Sequence, residues 1–203
     1  MDNRQTLQTT NTRITLGAIL LAIGFWALIE FSWVWWGLFI AGILSWIIAF
    51  KQEAKLPFKT PHRLWVIPLG VVGYLILGIT IGYIAKLMGF YWVYNPATGH
   101  LRQLALKLPF MLMGEELLGI GILEAIRSKG FTLSISSLIS ALIFGLMHIS
   151  AYWDGYFIST LLHVLLLQGI ARLIFNYIYL KSGQSIWGSW LTHILVDFIA
   201  LSL

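Results

Sequence analysis

Two adjacent carboxylates, Glu115 and Glu116, stand in the stretch Met113-Gly-Glu-Glu-Leu-Leu-Gly-Ile-Gly-Ile-Leu-Glu124, which is otherwise apolar up to Glu124. Ionised groups at bilayer depth are costly and are kept where they have a partner or a job. Two further polar outposts offer partners: Phe144-Gly-Leu-Met-His148 and His193-Ile-Leu-Val-Asp197. Helical neighbours point roughly 100° apart, so Glu115 and Glu116 cannot form a carboxylate dyad at one small site. One is expected to face a reaction centre and the other a hydrogen-bonding partner. Residues four apart share a helix face, which puts Phe144 beside His148 and Asp197 beside His193, where a carboxylate can fix the imidazole tautomer. Burial disfavours the charged form of a carboxyl group, and a glutamate poised in that way is a good general base for water. These residue types therefore suggest hydrolysis, with water activated by a glutamate and the imidazoles. The other use of such side chains is a structural polar cluster between helices.

Two ways of activating water fit the same residues. Glu115, His148 and His193 form a donor set that zinc accepts, and they can equally polarise water without metal. The His-Glu-x-x-His pattern of zinc proteases is absent. A serine nucleophile has only Gly188-Ser189 to offer, one turn from His193 on the same stretch. The paired aspartates of an aspartyl protease are missing: Asp154 reads as a loop residue and Asp197 stands alone. His163 shares a stretch with Gln168, Arg172 and Asn176 and reads as structural. Arg172 is expected to pair with a buried carboxylate, because an unpaired guanidinium there would be costly.

The elements that must position these groups are membrane helices. Hydrophobic residues make up 59% of the 203-residue chain and charged residues 10%, against about one-quarter charged in soluble domains. The fold class is all-α, a polytopic transmembrane bundle of about seven spans, six at least and eight at most, each near the roughly 20 residues a crossing needs. The spans are expected at about Ile14–Phe31, Trp33–Phe50, Leu64–Gly89, Leu104–Ile126, Leu133–Ile149, Tyr156–Leu180 and Ile186–Leu203. Residues 1–203 form one membrane domain, with the motifs in 101–203. Pro109 is expected to kink the entry to the fourth span. The serine-rich start of the fifth is expected along the interface, because rise counting otherwise puts His148 nearer the outer surface than Glu115. Met1 to Asn11 reads as a loosely ordered polar tail without a cleavable signal peptide.

Bases set the orientation. Arg4 and Arg13, with Lys51, Lys55, Lys59 and Arg63, place the N-terminus and the 51–63 loop in the cytoplasm. The net charge of +5 is spread over short loops, which argues against nucleic-acid binding. With no cysteine there is no disulfide framework and no thiolate metal site. The composition fits a bacterial cytoplasmic membrane; the lipid bilayer is the one partner it implies, and the oligomeric state is not legible.

Taken together, Gly114-Glu-Glu-Leu-Leu, Phe144-x-x-x-His148 and His193-x-x-x-Asp197 resemble, in order and spacing, the three core motifs of the CPBP intramembrane proteases (CAAX protease and bacteriocin-processing, or Abi, family). The resemblance covers about Leu101 to Leu203. It implies an intramembrane endopeptidase of the CPBP type, a metalloprotease or a metal-free one, since the likeness does not decide between them. It places the catalytic glutamate on Glu115 and its neighbour on Glu116, the histidines on His148 and His193, and the following acid or amide on Asp197. The implied substrate is a small peptide or a membrane-anchored protein tail, and the implied roles are peptide or bacteriocin maturation or self-immunity. The first motif usually reads Glu-Glu-x-x-x-Arg; here Ile120 stands at the Arg position, and Gly119 stands where a large aromatic is common. Arg172 or Arg127 is expected to replace that arginine. Two other readings remain: a non-catalytic immunity or interaction protein of the same fold, and a proton-coupled transporter, since intramembrane Glu, His and Asp also serve proton relays.

Overall fold

A computed structural model describes residues 5–202. Arg4, the first residues of the tail and Leu203 lie outside the described residues. Every regular element described is helical: α1 Asn11–Glu30, α2 Gly37–Phe50, α3 Val66–Leu87, a single turn α4 Leu101–Leu104, α5 Leu108–Arg127, α6 Leu133–Met147, α7 Phe157–His163, α8 Ile170–Lys181 and α9 Ile186–Ala200. A π-helical turn, Val164–Gly169, joins α7 to α8 into one continuous rod.

Three helices are long and apolar enough to cross a bilayer: α1, α3 and the rod Phe157–Lys181. The chain is an integral membrane protein, and its surface agrees. Leu16, Ile19, Ile23 and Trp26 on α1, and Leu69, Val72, Ile76 and Ile79 on α3, all point outward and are exposed. Such an apolar girdle needs lipid to cover it. Three of the remaining helices, α2, α6 and α9, are shorter than expected. The second span begins only at Gly37, leaving α2 with 14 residues, about 21 Å of helix at 1.5 Å per residue. Trp33 and Val34 are spent on a turn in which Val34 N–H bonds to Phe31 O and Gly37 N–H to Val34 O. α6 and α9 have 15 residues each. Pro109 does not kink α5. It lies in the first turn of the helix, where its missing N–H has no partner to lose.

α5 is the centre. α2 packs on one side of it, α6 and α9 on others, and α8 closes the ring against α6 and α9; α1 rests on α2, and α3 on α8 and α9. Gly114 permits the α2 contact, since a Cβ there would stand 2.7 Å from Phe39 N. Two of the α6 serines turn inward, while Ser134 at its start is exposed. Ser136 and Ser140 are fully buried, and Ser140 donates to Gly119 O on α5 at 2.8 Å. Hydroxyls turned inward make the α5–α6 contact in place of apolar side chains.

One end of the bundle is tied by polar contacts. Glu124, at the end of α5, is fully buried and accepts from Arg127 at 2.7 Å, Tyr179 Oη at 3.1 Å, Gln184 Nε2 at 3.4 Å and Leu7 N–H at 3.4 Å. Gln184 also donates to Gln5 O, and Leu7 is buried against Trp46 and Phe50. The described part of the N-terminal tail is therefore a packed strap and not a loose one. It is held because the Glu124 carboxylate needs more donors than α5 itself supplies.

Candidate active site

Glu116 faces the protein interior. Arg172 of α8 grips it with both arms of its guanidinium, Nη1 to Oε1 at 2.9 Å and Nη2 to Oε2 at 3.0 Å. Ser189 Oγ donates to Oε2, and His193 Nδ1 to Oε1 at 2.9 Å. Both Glu116 and Arg172 are fully buried. The guanidinium is itself completed: Nε donates to Asn176 Oδ1 at 3.0 Å, Nη2 to Ser189 Oγ at 3.2 Å, and its plane lies between the rings of Phe144 and Phe175 at 5.5 and 5.4 Å. A buried ion pair persists only when its remaining donors and lone pairs are satisfied in this way.

The clamp depends on the small residue at position 119. A Cβ at position 119 would meet Arg172 Nη1 at 2.6 Å and Cδ at 2.7 Å. The missing side chain of Gly119 is the space the guanidinium occupies. The positive charge that meets Glu116 comes from α8. Arg127 does not take part, because it is spent on Glu124.

Glu115, one residue earlier, turns the other way. It lines a cavity of about 870 Å³, together with His148, His193, Asp197 and Tyr152. Its Oε2 lies 3.8 Å from His193 Nε2, and Asp197 Oδ1 lies 3.8 Å from the same nitrogen. The two glutamates thus hold opposite edges of one imidazole. It is Glu116, and not Asp197, that meets Nδ1 within hydrogen-bond distance. Since a carboxylate can only accept, Nδ1 carries a proton and Nε2 is the edge offered to the cavity.

His148 caps the C-terminus of α6. Its Nδ1 lies 2.8 Å from Phe144 O, which again can only accept, so its Nε2 is also the free edge. Phe144 supports both imidazoles, with ring centroids 4.8 Å from His148 and 6.4 Å from His193. The outer position of His148 that rise counting suggested does not separate it from Glu115, because both line the same cavity.

Three side chains of the site gave little warning in the sequence. Ser189 sits four residues before His193, and Asn176 four after Arg172, so each shares its partner's helix face. Tyr152, 5% exposed, stands beside His148 with no motif to mark it. His163 packs against Tyr152 on the cavity wall and joins no polar partner of the Glu116 clamp. Among the described residues, no three His, Asp or Glu side chains stand close enough to hold a metal ion. Glu115, His148 and His193 are thus not a ready-made ligand set as placed.

The model of one family, described as type II CAAX prenyl endopeptidase Rce1-like, matches residues 98–199. No curated protein and no solved structure matches the chain.

Proposed function

Because the chain belongs to the Rce1-like type II CAAX prenyl endopeptidase family, a family of proteases, we propose that it is an intramembrane endopeptidase whose water is activated by Glu115 and His148. The observation that carries this reading is the division of labour on α5: Glu116 is saturated, while Glu115 faces the cavity and has no hydrogen-bond donor among the described residues. Water held between Glu115 and His148 Nε2 gives a proton to the carboxylate as its oxygen attacks the scissile carbonyl. His193, with Nδ1–H on Glu116, presents a protonated Nε2 to the developing oxyanion, and Asp197 steadies that edge. Collapse of the tetrahedral intermediate breaks the C–N bond, and the proton on Glu115 passes to the leaving amine. The products are a new carboxylate and a new amine, with one water consumed.

In this scheme Glu116, Arg172 and Ser189 are positioning residues. No step runs through a metal. Zinc on Glu115, His148 and His193 would need the three to draw together. The family description supports a CAAX-type, lipid-anchored peptide as the first substrate to try; maturation or self-immunity of a secreted peptide is the biological role that the motif resemblance favours. About seven crossings of the bilayer, counting α5 and the shorter α2, α6 and α9 as spans, complete the picture.

The test is cleavage of a prenylated CAAX-type peptide by the purified protein in detergent. His148→Ala is expected to lower kcat by about 10²–10⁴. The parent is expected to remain active in excess chelator. Stoichiometric zinc in active protein, lost together with activity on chelation, would replace the metal-free scheme. A His148→Ala protein as fast as the parent would remove His148 from the scheme, and a parent that cuts no peptide would sink the hydrolytic reading.

A further inference from the structure

The cavity has a second wall that the hydrolytic scheme does not use. His163 ends α7, is 3% exposed and lines the same cavity as Glu115. Among the described residues its Nδ1 has no hydrogen-bond partner, and neither has Nε1 of Trp92, which lines the cavity from the 88–100 connection. The two rings lie flat on one another, with centroids 4.8 Å apart and planes 5° from parallel. Tyr152 meets the imidazole edge-on at 4.6 Å and stands between this stack and His148.

Buried polar groups are almost always paired, so two unpaired ones side by side require a reason. Stacking fixes both rings but satisfies neither nitrogen. An indole N–H can only donate, so its missing partner is an acceptor; an imidazole can present a donor to the same acceptor. Lys86, at the end of α3, lines the cavity as well and adds a cation. Two donors and a positive charge suit an anionic oxygen pair better than a neutral one. A peptide whose scissile bond lies at Glu115 carries one such group, its C-terminal carboxylate.

We propose that Trp92 and His163 form a subsite that receives the C-terminal carboxylate of the peptide substrate. The inference rests on the peptidase reading in its choice of ligand, but its test is binding without cleavage. A prenylated peptide with a free C-terminus, and the same peptide as its C-terminal amide, are titrated into full-length Glu115→Gln protein in detergent. The free acid binds about tenfold more tightly than the amide. Trp92→Phe and His163→Phe, each keeping an aromatic ring in the stack, abolish that preference at matched circular dichroism. His163→Asn, whose amide nitrogen falls near the position of Nδ1, retains part of it. Equal affinity for acid and amide overturns the assignment; if Trp92→Phe then weakens both, the indole reads a main-chain carbonyl instead. An acid preference untouched by Trp92→Phe and His163→Phe also overturns it. Should the parent bind the acid selectively but cut nothing, the peptidase reading fails and the subsite stands. Should it cut peptides while the variants bind as the parent does, only the subsite fails.

Discussion

At the scale of single residues, a one-position step along α5 separates two functions. Glu116 turns into a closed polar cluster and Glu115 into the cavity, as the angular offset of helical neighbours requires. The Arg172 guanidinium is the counterweight that lets Glu116 stay buried. Arg172→Met is expected to destabilise the protein by about 3–5 kcal/mol, since it strands a carboxylate in the interior. Arg172→Lys should recover only part of this, because an ammonium cannot form the two-armed grip. Chemical unfolding in mild detergent measures both; a neutral Arg172→Met would mean that the pair contributes no stability. The pairing of Arg172 with a motif carboxylate was legible from the cost of an unpaired cation. Which glutamate it would take was not, because the gap at Gly119 is visible only when α8 is in place.

At the scale of elements, helix identity was legible and helix length was not. Hydropathy cannot separate Trp33–Trp36 from α2, since indoles in a turn and indoles in a helix are equally apolar. The inward turn of Ser136 and Ser140 was not legible for the converse reason: a hydroxyl suits an interface and a tight helix contact equally well. The connection before α7 shows how a short loop is held. Asp154 Oδ1 accepts from Tyr156 N–H and Thr160 Oγ1, both at 2.9 Å, and Oδ2 accepts from Ser159 Oγ. Slight burial pushes the Asp154 carboxyl up, but the Ser159 hydroxyl, the Tyr156 N–H and the Thr160 hydroxyl outweigh it and hold the group below its ordinary value. A carboxyl lowered on folding stabilises the fold above its unfolded pKa, and that contribution is lost as pH falls through the folded one. The α6–α7 connection is therefore expected to loosen only in acid, below the ordinary aspartate range. Amide exchange at residues 154–160 should accelerate there, and Asp154→Asn should show the faster exchange already at neutral pH. Exchange that is flat across that range would contradict the anchoring role.

At the scale of the whole molecule, the strap, the 51–63 loop and the turn after α8 meet at one end of the bundle. His62 N–H bonds to Ser182 O at 2.8 Å, Ser185 Oγ to Lys59 O at 2.6 Å and Lys129 Nζ to Thr9 O at 3.0 Å. Lys51, Lys55, Lys59 and Arg63 belong to that end, which the charge rule assigns to the cytoplasm. The 88–100 connection belongs to the other end and contributes Trp92 and Tyr94 to the cavity wall. The absence of cysteine makes the topology simple to test. In intact cells, Thr98→Cys is expected to react with an impermeant maleimide, and Lys55→Cys only after lysis. The reverse pattern would invert the orientation and bring the cavity to the cytoplasmic side.

The central claim is that Glu115 is the base and Glu116 its silent neighbour. The most direct measurement is single-turnover peptide hydrolysis by Glu115→Gln beside the parent, with peptide affinity and thermal stability taken on the same samples. The account predicts a rate lower by about 10²–10⁴, with binding and stability close to the parent's. Hydrolysis at the parent's rate would contradict it.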